Sequence, residues 1–257
     1  MNIKDIKKIV QNHVEISDNE LSWIGDDHEC TSTGIESWYR EEFGIEEKSF
    51  NEHGYRSDSF DRDNGFLFLG CSNTFGYGLK REESWPWIVG KYFDVSVWNV
   101  AVIGQGDDVC FLNAKKWIPE LNPKVVCMLL PPAGRFKFFD IDDENLNNQF
   151  TNWKIVEREK EIKFPWLFNV KNLYIHTLKN ILSIKILCDE KNIPFILKSP
   201  LPYLIKSPGG YMEPIDDNDI TKDGLHPGFK WHKRMADKYI KEIDKINIKH
   251  KFFKEKG

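Results

Sequence analysis

Four short runs of apolar residues, Phe66–Leu69, Val95–Trp98, Val125–Leu130 and Ile193–Leu197, constrain this chain more than any other feature. Each run is too short for a helix and lacks the polar alternation of a half-exposed strand. A strand buried on both faces, as in a parallel sheet, has this texture. Between the runs lie stretches with helical periodicity: Trp85–Phe93, Val109–Leu121 and Val170–Asp189, with a last one at Phe229–Ile246. Along Val170–Asp189 the residues Leu173, Ile175, Leu178, Ile181, Leu182, Ile184, Ile186 and Leu187 define a broad apolar face. The alternation predicts an α/β protein, a three-layer α/β/α sandwich around a central, mainly parallel sheet. Right-handed crossovers then limit its topology.

Outside that pattern, residues 1–50 read as an N-terminal extension in which Asn2–Ile16 and Ile35–Phe43 have the spacing of short helices. Residues 51–246 form the predicted domain, interrupted at 140–165 by a charged, Asn-rich insertion or lid. Residues 247–257 are a charged tail. At 257 residues the chain suffices for one substantial core. The net charge of −4 argues against a general nucleic-acid binder. No stretch approaches the roughly 20 apolar residues of a membrane span, and the first residues lack the apolar core of a secretion signal. The expectation is a soluble, cytoplasmic protein with no membrane or nucleic-acid partner. Five cysteines without a CxxC pair point to reduced, mostly buried thiols and supply no zinc site.

In an open parallel sheet, ligands bind beyond the carboxyl ends of the strands. Three segments there could carry chemistry. Gly70-Cys71-Ser72-Asn73-Thr74-Phe75-Gly76 follows the first run and sets Ser72 on a tight turn, with backbone N–H groups near its Oγ. Alone, it also fits a chemically silent Gly-rich loop or a phosphate loop, although not a Walker loop. Asn99–Gly106 follows the second run; Gly104 or Gly106 could offer a second backbone donor, or simply form a turn before a helix capped by Asp107 or Asp108. Asp223-Gly224-Leu225-His226-Pro227 precedes the last helix, about 150 residues after Ser72. A carboxylate three residues before a histidine can hold Nδ1 and leave Nε2 to accept a proton from serine. It can equally be an Asx turn beside a surface histidine. The remaining histidines lack a neighbouring motif and read as surface or locally satisfied residues.

Together and in this order, the three segments resemble the blocks of the SGNH (GDSL-like) hydrolase family. The resemblance spans roughly residues 51–245. It implies Ser72 as nucleophile, His226 as base, Asp223 as the residue orienting it, and the backbone of Ser72 and Gly104 as oxyanion donors. Cys71 replaces the usual acidic residue of the first block. Asn51–Ser57 is similar to a segment upstream of that block in acyltransferase-like members. The family's third block normally supplies an asparagine amide to the oxyanion hole. Here the third run leads into Pro131-Pro132-Ala133-Gly134-Arg135, without asparagine. Arg135 could replace that donor, clamp an anionic substrate group, or be a solvated loop residue. The implied activity is hydrolysis or transfer of a small acyl group, with no cofactor or metal. A carbohydrate O-acetyl ester is the expected substrate, given the family and the 14% aromatic content. A catalytically weak or inactive binding protein of the same fold is the alternative.

Overall fold

The computed structural model describes residues 1–18, 50–133, 135, 170–200, 219–221 and 226–246. Ile35–Phe43, the insertion at 140–165, Cys30, Asp223 and the tail lie outside these residues. Four parallel strands, β1 (Gly65–Leu69), β2 (Ser96–Asn99), β3 (Val125–Leu129) and β4 (Phe195–Lys198), form one sheet in the order β2-β1-β3-β4. The helices are α1 (Ile3–Asp18), α2 (Ser72–Phe75), α3 (Trp85–Phe93), α4 (Asp107–Leu121), α5 (Val170–Glu190) and α6 (Phe229–Lys245). The expected three-layer α/β/α sandwich is therefore present.

Side chains two apart on a strand share a face, and this assigns the two cores. Leu67, Leu69, Trp98, Val126, Met128, Phe195 and Leu197 pack with α1, α4 and α5. Phe66, Phe68, Val97, Val125, Cys127, Leu129 and Ile196 pack with α3 and α6. Each such side chain taken from water contributes on the order of 1.5–3 kcal/mol. α1 joins the first core through Ile6 and Val10, both fully buried. Cys71, Cys110, Cys127 and Cys188 are buried free thiols. Burial raises the pKa of the last three, Cys188 to about 12.

Two strands begin later than their apolar runs. Val95 follows Asp94 (φ 54) and Ile193 follows Asn192 (φ 56), both left-handed. The N–H of Val95 turns back to the Gly90 carbonyl, and that of Ile193 to Cys188. These apolar residues thus terminate the preceding helices in the manner of a C-cap motif. On α5 the buried stripe is Leu173, Thr177, Asn180, Ile181, Ile184 and Cys188, whereas Ile175 and Ile186 are exposed. Two polar residues take part in the stripe because they face a buried carboxylate on α4, described below.

Three buried contacts at Tyr239 and His232 are among those that tie α6 to the other layers. Tyr239 stacks on Trp85 at 4.3 Å and donates its hydroxyl to the Met128 carbonyl of β3. His232, expected from sequence to be a surface or locally satisfied residue, is fully buried. Its Nδ1 accepts the Trp85 N–H at 3.1 Å, at the start of α3. Burial lowers its pKa from 6.5 to about 3, with further opposition from the charges of His226 and Arg56.

An unfolded chain binds a proton at this ring below pH 6.5, while the folded chain does not until about pH 3. The stability contributed by neutral His232 is complete above the unfolded pKa and is lost as pH falls through that window, by up to about 1.4 kcal/mol per pH unit. His232→Asn keeps an acceptor for Trp85 and removes the titration. Urea unfolding between about pH 7 and about pH 4 should give a shallower loss in the variant; equal slopes would contradict the assignment.

Candidate functional site

β1 and β3 are neighbours whose following connections run to opposite sides of the sheet, the topological switch point beyond whose carboxyl ends open parallel sheets bind ligands. Ser72 enters this region as the first residue of α2 and is 7% exposed. Cys71 precedes the helix, and its carbonyl accepts the N–H groups of Thr74 and Phe75, each at 2.9 Å. Gly76, left-handed at φ 79, closes the turn through the Ser72 carbonyl. The earliest N–H groups of such a helix lack intrahelical acceptors. Ser72 Oγ lies 3.9 Å from Cys71 Sγ.

The turn is held from outside. Arg56 is 1% exposed and donates through Nη1 to the carbonyls of Phe75 (3.2 Å) and Gly76 (2.7 Å), and through Nη2 to Leu79 (2.6 Å). Asn99, also buried, donates to the Thr74 carbonyl at 2.9 Å and accepts the Ala101 N–H at 3.2 Å. Its position at the end of β2 is fixed by Ser57, whose Oγ accepts the Asn99 N–H and donates to the Val97 carbonyl. Asp58 engages both backbone groups of Val97.

The loop after β2 runs alongside the turn of Ser72. Val100 N–H reaches the Phe68 carbonyl at 3.0 Å, and Val102 N–H reaches the Gly70 carbonyl at 3.4 Å. Gly104 then turns left-handed at φ 71, a conformation that costs little only for glycine. Gly106 caps α4, and the carbonyl of Arg135 lies so close that a Cβ on Gly106 would stand 1.9 Å from it. Asp107, expected at most as a cap, reaches across to α5 instead. Its Oδ1 accepts from Asn180 Nδ2 at 2.8 Å and lies 3.4 Å from His176 Nε2. Burial alone would raise this carboxyl pKa. Hydrogen bonding and charge from His176, with bonds from Thr177 and Asn180, outweigh burial and hold it below the usual carboxylate range.

His226 follows from a second scaffold. Ile220 and Pro227 form an antiparallel bridge, and Thr221 N–H donates to the His226 carbonyl at 2.9 Å. Asp219 caps α6 through space: Oδ1 accepts the Lys230 N–H and Oδ2 the Trp231 N–H, both at 2.8 Å. The paired segments around Thr221 and His226 lean on the loop after α2. A Cβ on Gly78 would meet Thr221 at 2.4 Å, and the His226 ring packs on Tyr77 at 4.5 Å between centroids.

The structure thus gathers the segments carrying Ser72, Gly104, Arg135 and His226 at one end of the sheet. Asp223 lies outside the described residues. Sequence reasoning missed Arg56, Tyr77, Asp107 and Asp219 as supports. Asp219 carries no local signal, since capping patterns are sought at the N-cap position, occupied here by Gly228. Arg56 lies in the Asn51–Ser57 segment, whose resemblance alone could have drawn attention to it. Among the described residues, no cluster of three or more His, Cys, Asp or Glu could hold a metal ion.

Arg56→Met would remove the guanidinium donor from the carbonyls of Phe75, Gly76 and Leu79 while keeping most of the side-chain volume. The expected loss is about 3 kcal/mol in urea unfolding, the scale of breaking charged hydrogen bonds in a buried site. Cleavage by a nonspecific protease should increase at residues 76–80, and an unchanged unfolding midpoint would contradict the clamp.

No protein-family model matches the chain, and no curated protein matches it. Solved structures do. A lipolytic protein of the G-D-S-L family from Desulfitobacterium hafniense is 17% identical, with 70% of this chain and 99% of that one covered and a TM-score of 0.37. A psychrotrophic esterase from a Pseudoalteromonas species is 16% identical over 71% of this chain and 98% of that one, with a TM-score of 0.39. A GDSL-like lipase from Bacteroides thetaiotaomicron is 15% identical over 84% and 98%, with a TM-score of 0.34. The solved structures that the chain is similar to, at low identity and low TM-score, are GDSL- and SGNH-like lipolytic hydrolases and esterases.

Proposed function

We propose that the chain is a serine ester hydrolase or O-acyltransferase of the SGNH type, working through an acyl-serine intermediate. The observation that carries this reading is the docking of the segments around Thr221 and His226 on the loop that follows the Ser72 turn, through Tyr77 and His226 and through Gly78 and Thr221. Segments about 150 residues apart meet there, and they bear a hydroxyl and an imidazole in the order the family motif uses. In the proposed reaction Ser72 Oγ attacks the ester carbonyl while His226 Nε2 takes its proton. Asp223 holds Nδ1, so that the ring presents Nε2 as acceptor. The backbone N–H groups of Ser72 and Gly104 stabilise the oxyanion. His226 returns the proton to the departing alcohol, and water or a second alcohol then releases the acyl group.

A small acyl ester of a carbohydrate is the substrate we favour, because no long apolar channel is announced by the sequence and aromatic faces suit sugars. Arg135, whose carbonyl abuts Gly106, is a candidate to clamp an anionic substrate group or to supply an oxyanion donor. The missing third-block asparagine favours a second reading, a binding protein that retains the fold without turnover.

Two measurements decide between them. A fluorophosphonate should label the wild type at Ser72, and Ser72→Ala should lose both labelling and hydrolysis of p-nitrophenyl acetate with its unfolding midpoint unchanged. Undiminished hydrolysis in that variant would sink the mechanism; a wild type inert to esters and phosphonates would favour the binding protein. Arg135→Ala should lower turnover about tenfold or more, as expected for a lost charged contact in a desolvated site, with little effect on stability.

A further inference from the structure

We infer that the side-chain carboxamide of Gln105 donates to the oxyanion in place of the asparagine missing from the third block. The inference rests on the acyl-serine reading above. Gln105 is 3% exposed, yet its Nε2 has no hydrogen-bond partner among the described residues. Buried polar groups are nearly always paired, and an orphaned amide in a native fold calls for an explanation such as a catalytic role.

Its place supplies one. Gln105 sits between Gly104 and Gly106, with its own N–H on the Val102 carbonyl at 3.4 Å. Three residues before it, Val102 contacts the Gly70 carbonyl; five residues after it, Cys110 Sγ lies 3.8 Å from the same atom. Gly70 is two residues before Ser72. The loop is also fixed at both ends, by Asn99 on the Thr74 carbonyl and by Asp107 on Asn180. A donor on so restrained a loop needs little reorganisation when charge develops nearby. In the loop after β3, Pro131 and Pro132 have no N–H and Ala133 has no polar side chain, so Arg135 is the side-chain donor that loop offers among the described residues.

In the step concerned, the Ser72 Oγ–carbon bond forms and the Oγ proton passes to His226. The carbonyl π pair moves onto oxygen, where Gln105 Nε2–H meets it. When the pair returns, the carbon–alkoxy bond breaks and the leaving group takes the proton from His226. Arg135 is then left with the role of an anion clamp.

Gln105→Met keeps the shape and removes the donor. With p-nitrophenyl acetate, kcat should fall by about 100-fold or more, KM should stay within about threefold, and labelling of Ser72 by a fluorophosphonate should slow in parallel. The thermal midpoint should hold or rise, since an unsatisfied amide has been replaced by apolar atoms. Gln105→Asn, with a carboxamide one methylene shorter, should fall between the two and serves if the Met variant does not fold. A kcat within about threefold of wild type in a folded variant overturns the role of Gln105 alone, provided Ser72→Ala is dead. A fall in kcat matched by a fall in thermal midpoint makes Gln105 structural and equally overturns it. A wild type inert to esters and phosphonates overturns the acyl-serine reading and this inference with it.

Discussion

A strand buried on both faces has no place for a polar side chain except beyond its ends, and the rest of this molecule follows from that constraint. β1 and β3 are fully buried along their length, so their interior positions are given over to packing. Polar residues that are not on the solvent side must gather where the strands release the chain. Ser72, Gln105 and Arg135 all come from segments directly beyond the strands. The parallel arrangement aligns those ends on one rim of the sheet.

The same constraint explains the cost of building the rim. A turn at the end of a buried strand exposes carbonyls to the interior, and each needs a donor. Arg56 and Asn99 serve the turn of Ser72. Asp219 performs the complementary task for the N–H groups at the start of α6, and Asp107 locks the start of α4 to α5. These supports are buried polar side chains bonded chiefly to backbone or to neighbouring helices, and such arrangements fix geometry more than they add stability. The segments around Ser72 and His226 rest on them, and the layers of the sandwich rest on apolar packing.

The division decides what could be read from sequence. Packing repeats locally: Phe66–Leu69 and Val125–Leu130 gave strands almost residue for residue, and Trp85–Phe93 is a helix with those bounds. Errors arose where an apolar residue had another local task, as with Val95 and Ile193 at helix ends. On α5, helical periodicity puts Ile175 and Ile186 on the side opposite the buried stripe, while Thr177 and Asn180 lie within it and face Asp107. The segments that meet at the rim were legible where a short motif marks them, as around Ser72 and His226. The supports were not legible where a side chain acts across space, as with Asp219 eleven and twelve residues from the amides it accepts, or His232, whose partner is 147 residues away.

Among the described residues β2 stands at one border of the sheet, and outward backbone groups of Val97 and Asn99 are already engaged. Ser57 and Asp58 take both groups of Val97 and the N–H of Asn99. An incoming extended peptide, or the corresponding strand of a second molecule, would have to displace these bonds before adding to the sheet there. The segment that steadies the loops around Ser72 therefore also occupies the bonds an added strand would need along that border, and one short stretch of chain serves both tasks.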